Sequence, residues 1–379
     1  MRAFAALIVA GLIRPRPILS KLKPDLNRTD GRWRAAPSAV SVLIACGWLR
    51  VKDASHPGLR IDATSSSHTL SRVTAPDGRC VVVKQVPQYA AARQRSLMSE
   101  MFVYRLARWM AEIARAVPNL VFIDEGRHVI VVDALATGIR WPDPATRAAI
   151  SSPEVCSQLG AVLAGVHRAT ADMAMWPSPA VGVLGLPMSI AEASAERPAN
   201  TQALMRFIAE DPELSTMLNT GAADYTAQCV IHGDLRQENW LIDDREQSGM
   251  LKIFDWELAG SGDPARDLGS LVAEAVLDNI HQHRADAFTS PLPPSIEESM
   301  RALLAAYFEH AALLDSASSK TWRKITLYTV ARLLHVACEC TDQGVDRCEW
   351  PVTAIVGATR RIAQHEAKAA RQLQTWMPV

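Results

Sequence analysis

Between Val230 and Leu271, three short apolar segments each border a polar side chain suited to chemistry. The segments are Cys229 to Ile231, Trp240 to Ile242 and Leu251 to Phe254. Asp234 follows the first, Asn239 precedes the second and Asp255 follows the third. Asn239 lies five positions after Asp234, and Asp255 sixteen after Asn239. If the segments are strands joined by tight loops, their ends can bring the three side chains together. Such a set of hard oxygen donors suits Mg²⁺, which takes few protein ligands and completes its shell with phosphate oxygens. It also supplies what phosphoryl transfer needs: a carboxylate to accept a hydroxyl proton, and ligands that hold nucleotide phosphates. A lone loop Asp is most simply a cap or an Asx-turn. Three such residues in this order are not explained that way.

The rest of the chain places this stretch in a larger body. With 379 residues and 49% apolar content it can bury a large core, and its length favours two lobes. Forty Lys and Arg against forty Asp and Glu exclude a strongly basic nucleic-acid coat and an acidic tail. Leu59 to Val86 reads as strands, with Ser71 to Ala75 and Cys80 to Gln85 flanking the turn signal Pro76-Asp77-Gly78. A helix is expected from about Arg95 to Ala116, with Leu97, Met101, Tyr104 and Arg108 on one face. Val121 to Ile123 and His128 to Asp133 read as two more strands. After Gly138 helices dominate: Ser157 to Ala169, Thr201 to Glu210, Ile296 to Leu314, Thr321 to Cys340 and Thr353 to Trp376. The expected fold class is α+β, with a small β-rich lobe followed by a large, mainly helical one.

Residues 1–50 stand apart. They carry nine Lys and Arg against two Asp, a net of +7, and read as a basic extension, a docking arm or a solvated one. The apolar run Ala3 to Ile13 has the length of a signal h-region, but Arg14, Pro15, Arg16 and Pro17 follow it and no Ala-x-Ala site comes next. It reads as a short packing helix. No apolar run reaches the ~18 residues of a membrane span. Seven cysteines do not read as a disulfide framework, so reduced thiols and a cytoplasmic location are expected. Cys338, Cys340, Cys348 and His335 make a poor tetrahedral zinc set, because Cys-x-Cys on an apolar helix has the wrong geometry.

His232-Gly233-Asp234-Leu235-Arg236-Gln237-Glu238-Asn239 resembles the catalytic loop of the aminoglycoside phosphotransferase and choline-kinase-like family, relatives of the protein kinases. Phe254-Asp255-Trp256-Glu257 resembles that family's metal-binding segment, and Gly262 to Leu268 a stretch common in it. The resemblance implies a protein-kinase-like bilobal fold, with ATP and Mg²⁺ as cofactors. It implies Asp234 as the catalytic base and Asn239 and Asp255 as metal ligands. It divides the chain into the extension 1–50, a nucleotide-binding lobe 51–137 and a catalytic and acceptor-binding lobe 138–379.

Upstream, the same resemblance implies a strand lysine directed at the phosphates and a helix carboxylate that holds it. Lys84 ends Val81-Val82-Val83, and Glu100 lies sixteen residues on. Adenine would meet the backbone near Asp133 to Leu135. The loop over the phosphates, Ala63 to His68, has no glycine, so Ser66 and Ser67 are its candidate contacts. Arg236, two residues past the base, either stabilises the transferring phosphate or is an exposed loop arginine.

Residues 281–379, where the family builds acceptor sites, hold ten Asp and Glu against eleven Lys and Arg. That balance does not favour a polycationic acceptor. Some relatives phosphorylate Ser or Thr of a precursor peptide in lanthipeptide-type biosynthesis, and a peptide hydroxyl is the specific expectation here. Its partner would be a precursor peptide, or a protein docked on the N-terminal extension. The alternatives are a small-molecule kinase of the aminoglycoside or choline type, and a catalytically silent binding module.

Overall fold

β-Branched pairs across an antiparallel ladder build the small lobe. The strands are β1 (Arg60–Ala63), β2 (Thr69–Thr74), β3 (Cys80–Gln85), β4 (Leu120–Asp124) and β5 (Val129–Asp133), in spatial order β1-β2-β3-β5-β4. The Pro76-Asp77-Gly78 turn joins β2 to β3, which pair from Thr69↔Gln85 to Thr74↔Cys80. The computed structural model describes residues 38–63, 69–86, 90–134, 152–173, 176, 178, 197–243, 250–283, 292–344 and 352–376. All of them belong to one compact unit, 37–379.

Strand alternation sorts the faces of this sheet. Val73, Val81, Val83, Val129 and Val131 bury one face against α1 (Ala39–Ala45) and Leu49. Val82 and Lys84 therefore point to the other face, where α2 (Ala91–Leu106) packs. The basic extension thus does not reach residue 50: from residue 38 the chain is part of the small lobe. Ser38 caps α1, its side chain accepting from the Ser41 N–H, and Val42 and Leu43 are buried. A capping serine ahead of an apolar run was legible as a helix start; the count of basic residues concealed it.

One expected helix is two. α2 ends at Leu106, Met110 is extended (φ −123°, ψ 110°), and α3 (Ala111–Ala116) starts after it as a separate helix. Leu97, Met101 and Tyr104 are buried, while Arg108 is exposed. Likewise the last expected helix breaks at His365.

The large lobe packs α4 (Pro153–Ala169), α5 (Ala199–Glu210) and α6 (Pro212–Ala223) with α7 (Pro264–His283), α8 (Pro294–His310) and α9 (Ser319–Gln343). α10 (Val352–Gln364) and α11 (Glu366–Gln374) close it. α4 lies along α8 and α7 along α9. At the second crossing a Cβ on Gly269 would stand 2.5 Å from the Tyr328 Cβ and 2.9 Å from the Ile325 carbonyl oxygen, so glycine sets the approach. Short strands β6 (Cys229–Ile231) and β9 (Gly260–Gly262) pair antiparallel, as do β7 (Trp240–Asp243) and β8 (Met250–Ile253).

No described helix is long and apolar enough to cross a membrane. Cys340 is disulfide-bonded, which corrects the expectation of seven reduced thiols; an odd count does not forbid a single bridge. Cys46, Cys80, Cys156, Cys229 and Cys338 are free. No group of three or more His, Cys, Asp or Glu placed to hold a metal occurs among the described residues, and Cys348 lies outside them.

Candidate active site

β6 delivers the chain into the loop that starts at His232. Gly233 holds φ +82°, and a Cβ there would stand 2.6 Å from the Leu258 carbonyl oxygen, so the turn admits only glycine without a shift. Asp267 anchors the loop. Its fully buried carboxylate accepts the N–H of His232 (2.8 Å), the N–H of Gly233 (2.9 Å) and the His167 ring at 3.1 Å. Burial pushes this carboxyl up, but the hydrogen bonds and nearby imidazoles outweigh it and leave it below the ordinary range. Asp267 lies in the first turn of α7 but does not cap it. The cap on α7 is instead Asp263, whose carboxylate accepts the Ala265 N–H at 3.1 Å.

Removing Asp267 leaves two buried amides and an imidazole without their acceptor. Each orphaned buried donor costs ~1–3 kcal/mol, so Asp267→Ala is expected to lose about 3 kcal/mol of stability. Urea denaturation checks this, and a loss within about 0.5 kcal/mol, the range of ordinary surface changes, would remove the anchor role.

The next link joins this loop to Asp255. His232 Nε2 donates to the Phe254 carbonyl (3.0 Å), and its Nδ1 accepts the Asp234 N–H (3.2 Å), which fixes one tautomer. The Phe254 N–H donates to the Asn239 carbonyl at 2.8 Å. Asn239 Nδ2 donates back to the Asp234 carbonyl at 2.8 Å. Asp234, Asn239 and Asp255 are therefore tied through Phe254.

The Asp234 carboxylate meets two arginines. Arg236 donates to its Oδ2 from Nε (2.9 Å) and Nη2 (2.7 Å), and Arg332 of α9 places Nη1 3.2 Å from Oδ1. Arg236 is thus not a free loop arginine. Arg332 also lies 3.7 Å from Glu274 of α7. Burial pushes Glu274 up to about 7.

Lys84 forms the second cluster. Its Nζ donates to Glu100 (2.7 Å), to Glu257 (3.3 Å) and to Asp255. Burial works against the ammonium, yet the three carboxylates outweigh it and hold it charged. Glu100 is pushed up to about 7 by burial and by Asp255 and Glu257, against the pull of Lys84. Asp255 sits in the left-handed region (φ 65°, ψ 50°), a rare conformation for a residue with a side chain that turns the chain sharply after β8. One ammonium among three carboxylates leaves a surplus of negative charge. That surplus, with the nearby Asn239 amide, fits a divalent cation that brings phosphate ligands of its own. Asp255, Glu257 and Asn239 are the residues that would hold it.

The remaining sequence candidates separate. Asp133 ends β5; its N–H donates to the Asn119 carbonyl (2.9 Å) and its carboxylate accepts from Asn119 Nδ2 (3.2 Å). Any backbone contact it makes to a base is through its carbonyl. Ser66, Ser67 and Leu135 lie outside the described residues. Sequence reasoning missed Glu257, Glu274 and Arg332. Glu257 sits two positions past Asp255 and could have been found by that spacing. Arg332 interrupts a buried helical run, and no local signal marks it.

A family model described as a phosphotransferase enzyme family matches residues 60–315. No curated protein matches the chain. Among solved structures, a choline/ethanolamine kinase family protein from Mesorhizobium loti superposes with a TM-score of 0.52 at 15% identity, covering 88% of this chain and 98% of that one. An ethanolamine kinase from Plasmodium vivax gives 0.54 at 10% identity, over 87% and 86%. The amicoumacin kinase hAmiN, solved with AMP-PNP, Ca²⁺ and Ami, gives 0.51 at 13% identity, over 82% and 89%. These proteins share with this chain the bilobal, kinase-like fold.

Proposed function

The chain belongs to the phosphotransferase enzyme family, and from that premise we propose that it transfers the γ-phosphate of ATP to a hydroxyl, in the cytoplasm, with Ser or Thr of a peptide as acceptor. The observation that carries the phosphotransfer reading is the tie through Phe254, which joins Asp234, Asn239 and Asp255 into one constellation.

In this reading Asp234 accepts the acceptor's proton as its oxygen attacks phosphorus. Arg236, already on that carboxylate, faces the charge that spreads over the transferring phosphoryl group. Lys84, kept charged by Glu100, holds the α- and β-phosphates. Asp255, Glu257 and Asn239 would hold Mg²⁺, which when bound neutralises phosphate charge. His232, Gly233 and Asp267 keep the loop from moving as charge develops. Asp133 and Leu135 would contact adenine, and Ser66 and Ser67 the phosphates.

Asp255→Ala is expected to weaken ATP binding at fixed Mg²⁺ more than Asp234→Asn does. Calorimetry decides, and equal affinities for the two variants would count against the metal-ligand role of Asp255.

The peptide reading has electrostatic support. An acceptor with several ammonium groups needs carboxylates to offset its desolvation. The side chains on the Asp234 oxygens are instead arginines. The extension before residue 38 holds eight Lys and Arg against two Asp, a net of +6, and would dock an acidic leader of a precursor peptide, as lanthipeptide-type biosynthesis would require. The test is transfer from labelled ATP to a panel of aminoglycosides, small alcohols and Ser/Thr precursor peptides. Peptide labelling is expected; efficient labelling of kanamycin-like compounds with peptides inert would overturn it.

A further inference from the structure

The class of acceptor can be taken further, on the reading of Asp234 as the base. A hydroxyl that gives its proton to Asp234 must come within hydrogen-bond reach of that carboxylate. The rest of the acceptor then lies beside whatever else surrounds it. Arg236 occupies Oδ2, and Arg332 approaches Oδ1 at 3.2 Å.

Arg332 is only partly engaged. It rises from the middle of α9, its side chain is 8% exposed, and Glu274 is 3.7 Å from Nη2, beyond good hydrogen-bond distance. Its Nε is buried with no hydrogen-bond partner among the described residues. Folded chains leave few such donors, because a buried donor is destabilising until an acceptor reaches it.

The other charged side chains described near the base leave this Nε donor without an acceptor. Glu238 stands 3.8 Å from Arg236. Glu339 is 4.0 Å from Arg236 and 3.3 Å from His335 Nε2. Glu257 is engaged with Lys84, and Arg266 with the Gly233 carbonyl. His232 is committed to the backbone.

We propose that the acceptor carries a carboxylate next to its reacting hydroxyl, and that Arg332 is the residue that reads it. A guanidinium presents a planar fork that matches a carboxylate, and a cation at the same place would face two guanidiniums. The carboxylate could belong to an acidic residue beside Ser or Thr in a peptide, or to a small hydroxy acid.

Two matched sets of compounds decide it. One is a hydroxy acid, its amide and the corresponding amino alcohol. The other is a Ser peptide with Glu, Gln or Lys next to the serine. Binding is measured by calorimetry with ADP and Mg²⁺ present, and transfer with labelled ATP. The carboxylate members are expected to bind wild type at least about tenfold tighter than the amides. Arg332→Gln is expected to erase that preference with ADP affinity unchanged, and Arg332→Lys to keep part of it. Should Arg332→Gln fail to fold, wild type and Arg332→Lys carry the comparison. A preference confined to the peptides assigns the carboxylate to a peptide, and one confined to the small compounds assigns it to a hydroxy acid. Tightest binding of the ammonium members, no preference in either set, or a preference that survives in Arg332→Gln overturns the proposal. Absence of transfer to every compound counts against the proposed function, while the binding comparison still decides the acceptor class.

Discussion

Asp234→Asn is expected to lower phosphoryl transfer by ~10²–10⁴, the range for loss of a positioned general base. The substitution preserves shape, and the Asn239 bond to the Asp234 carbonyl does not depend on the side chain. The loop is held from behind by Asp267, so its path should survive. ATP affinity should stay near wild type, because the Lys84 cluster is a separate set of contacts. Some stability is lost, since both arginines give up a charged partner. That loss should be smaller than for Asp267→Ala, because Arg236 is 30% exposed and can turn to water. Single-turnover rates and calorimetric ATP binding on one preparation check the prediction. Near-normal turnover with a confirmed acceptor would remove Asp234 from the base role.

Lys84→Met is expected to cut activity by ~10²–10³, the scale for removing one preorganised charge-stabilising donor. It also sets a pH signature. Without the ammonium, Glu100, Asp255 and Glu257 face one another, and Glu100 is buried. Breaking a buried ion pair by deleting one partner costs ~3–5 kcal/mol if the survivor stays ionised. Glu100 is already pushed up to about 7 with Lys84 present, so it should take a proton instead. An acid whose folded pKa is raised contributes stability at low pH and loses it as pH rises through that value. The deficit of Lys84→Met relative to wild type should therefore be smaller near pH 5 than near pH 8. Thermal melts at the two pH values test this. A deficit independent of pH, with unchanged kinetics, would return Lys84 to an ordinary strand position.

Legibility in the sequence followed the range of the interaction. The hairpin at Pro76-Asp77-Gly78 and the strand ends at Asp234, Asn239 and Asp255 are local patterns, and they were readable. The breaks at Met110 and His365 were not, because periodicity continues across them while the backbone leaves the helical region. α1 was hidden for the opposite reason: it is only seven residues long, Ser41 among them, and follows a basic stretch, so composition masked a local signal.

The sequence by itself determined the order of parts. β-branched alternation, turn residues and helical periodicity act over a few residues, so the small sheet lobe, the helical lobe and the spacing of the catalytic loop are written in the chain. Only the tertiary structure decided what surrounds the base. Arg332 reaches Asp234 across almost a hundred residues because Gly269 lets α9 lie against α7, and Asp267 reaches the loop through a buried carboxylate. The physical reason is burial. A buried charge must find its partner wherever packing places one, and packing is a property of the assembled helices rather than of any stretch of sequence.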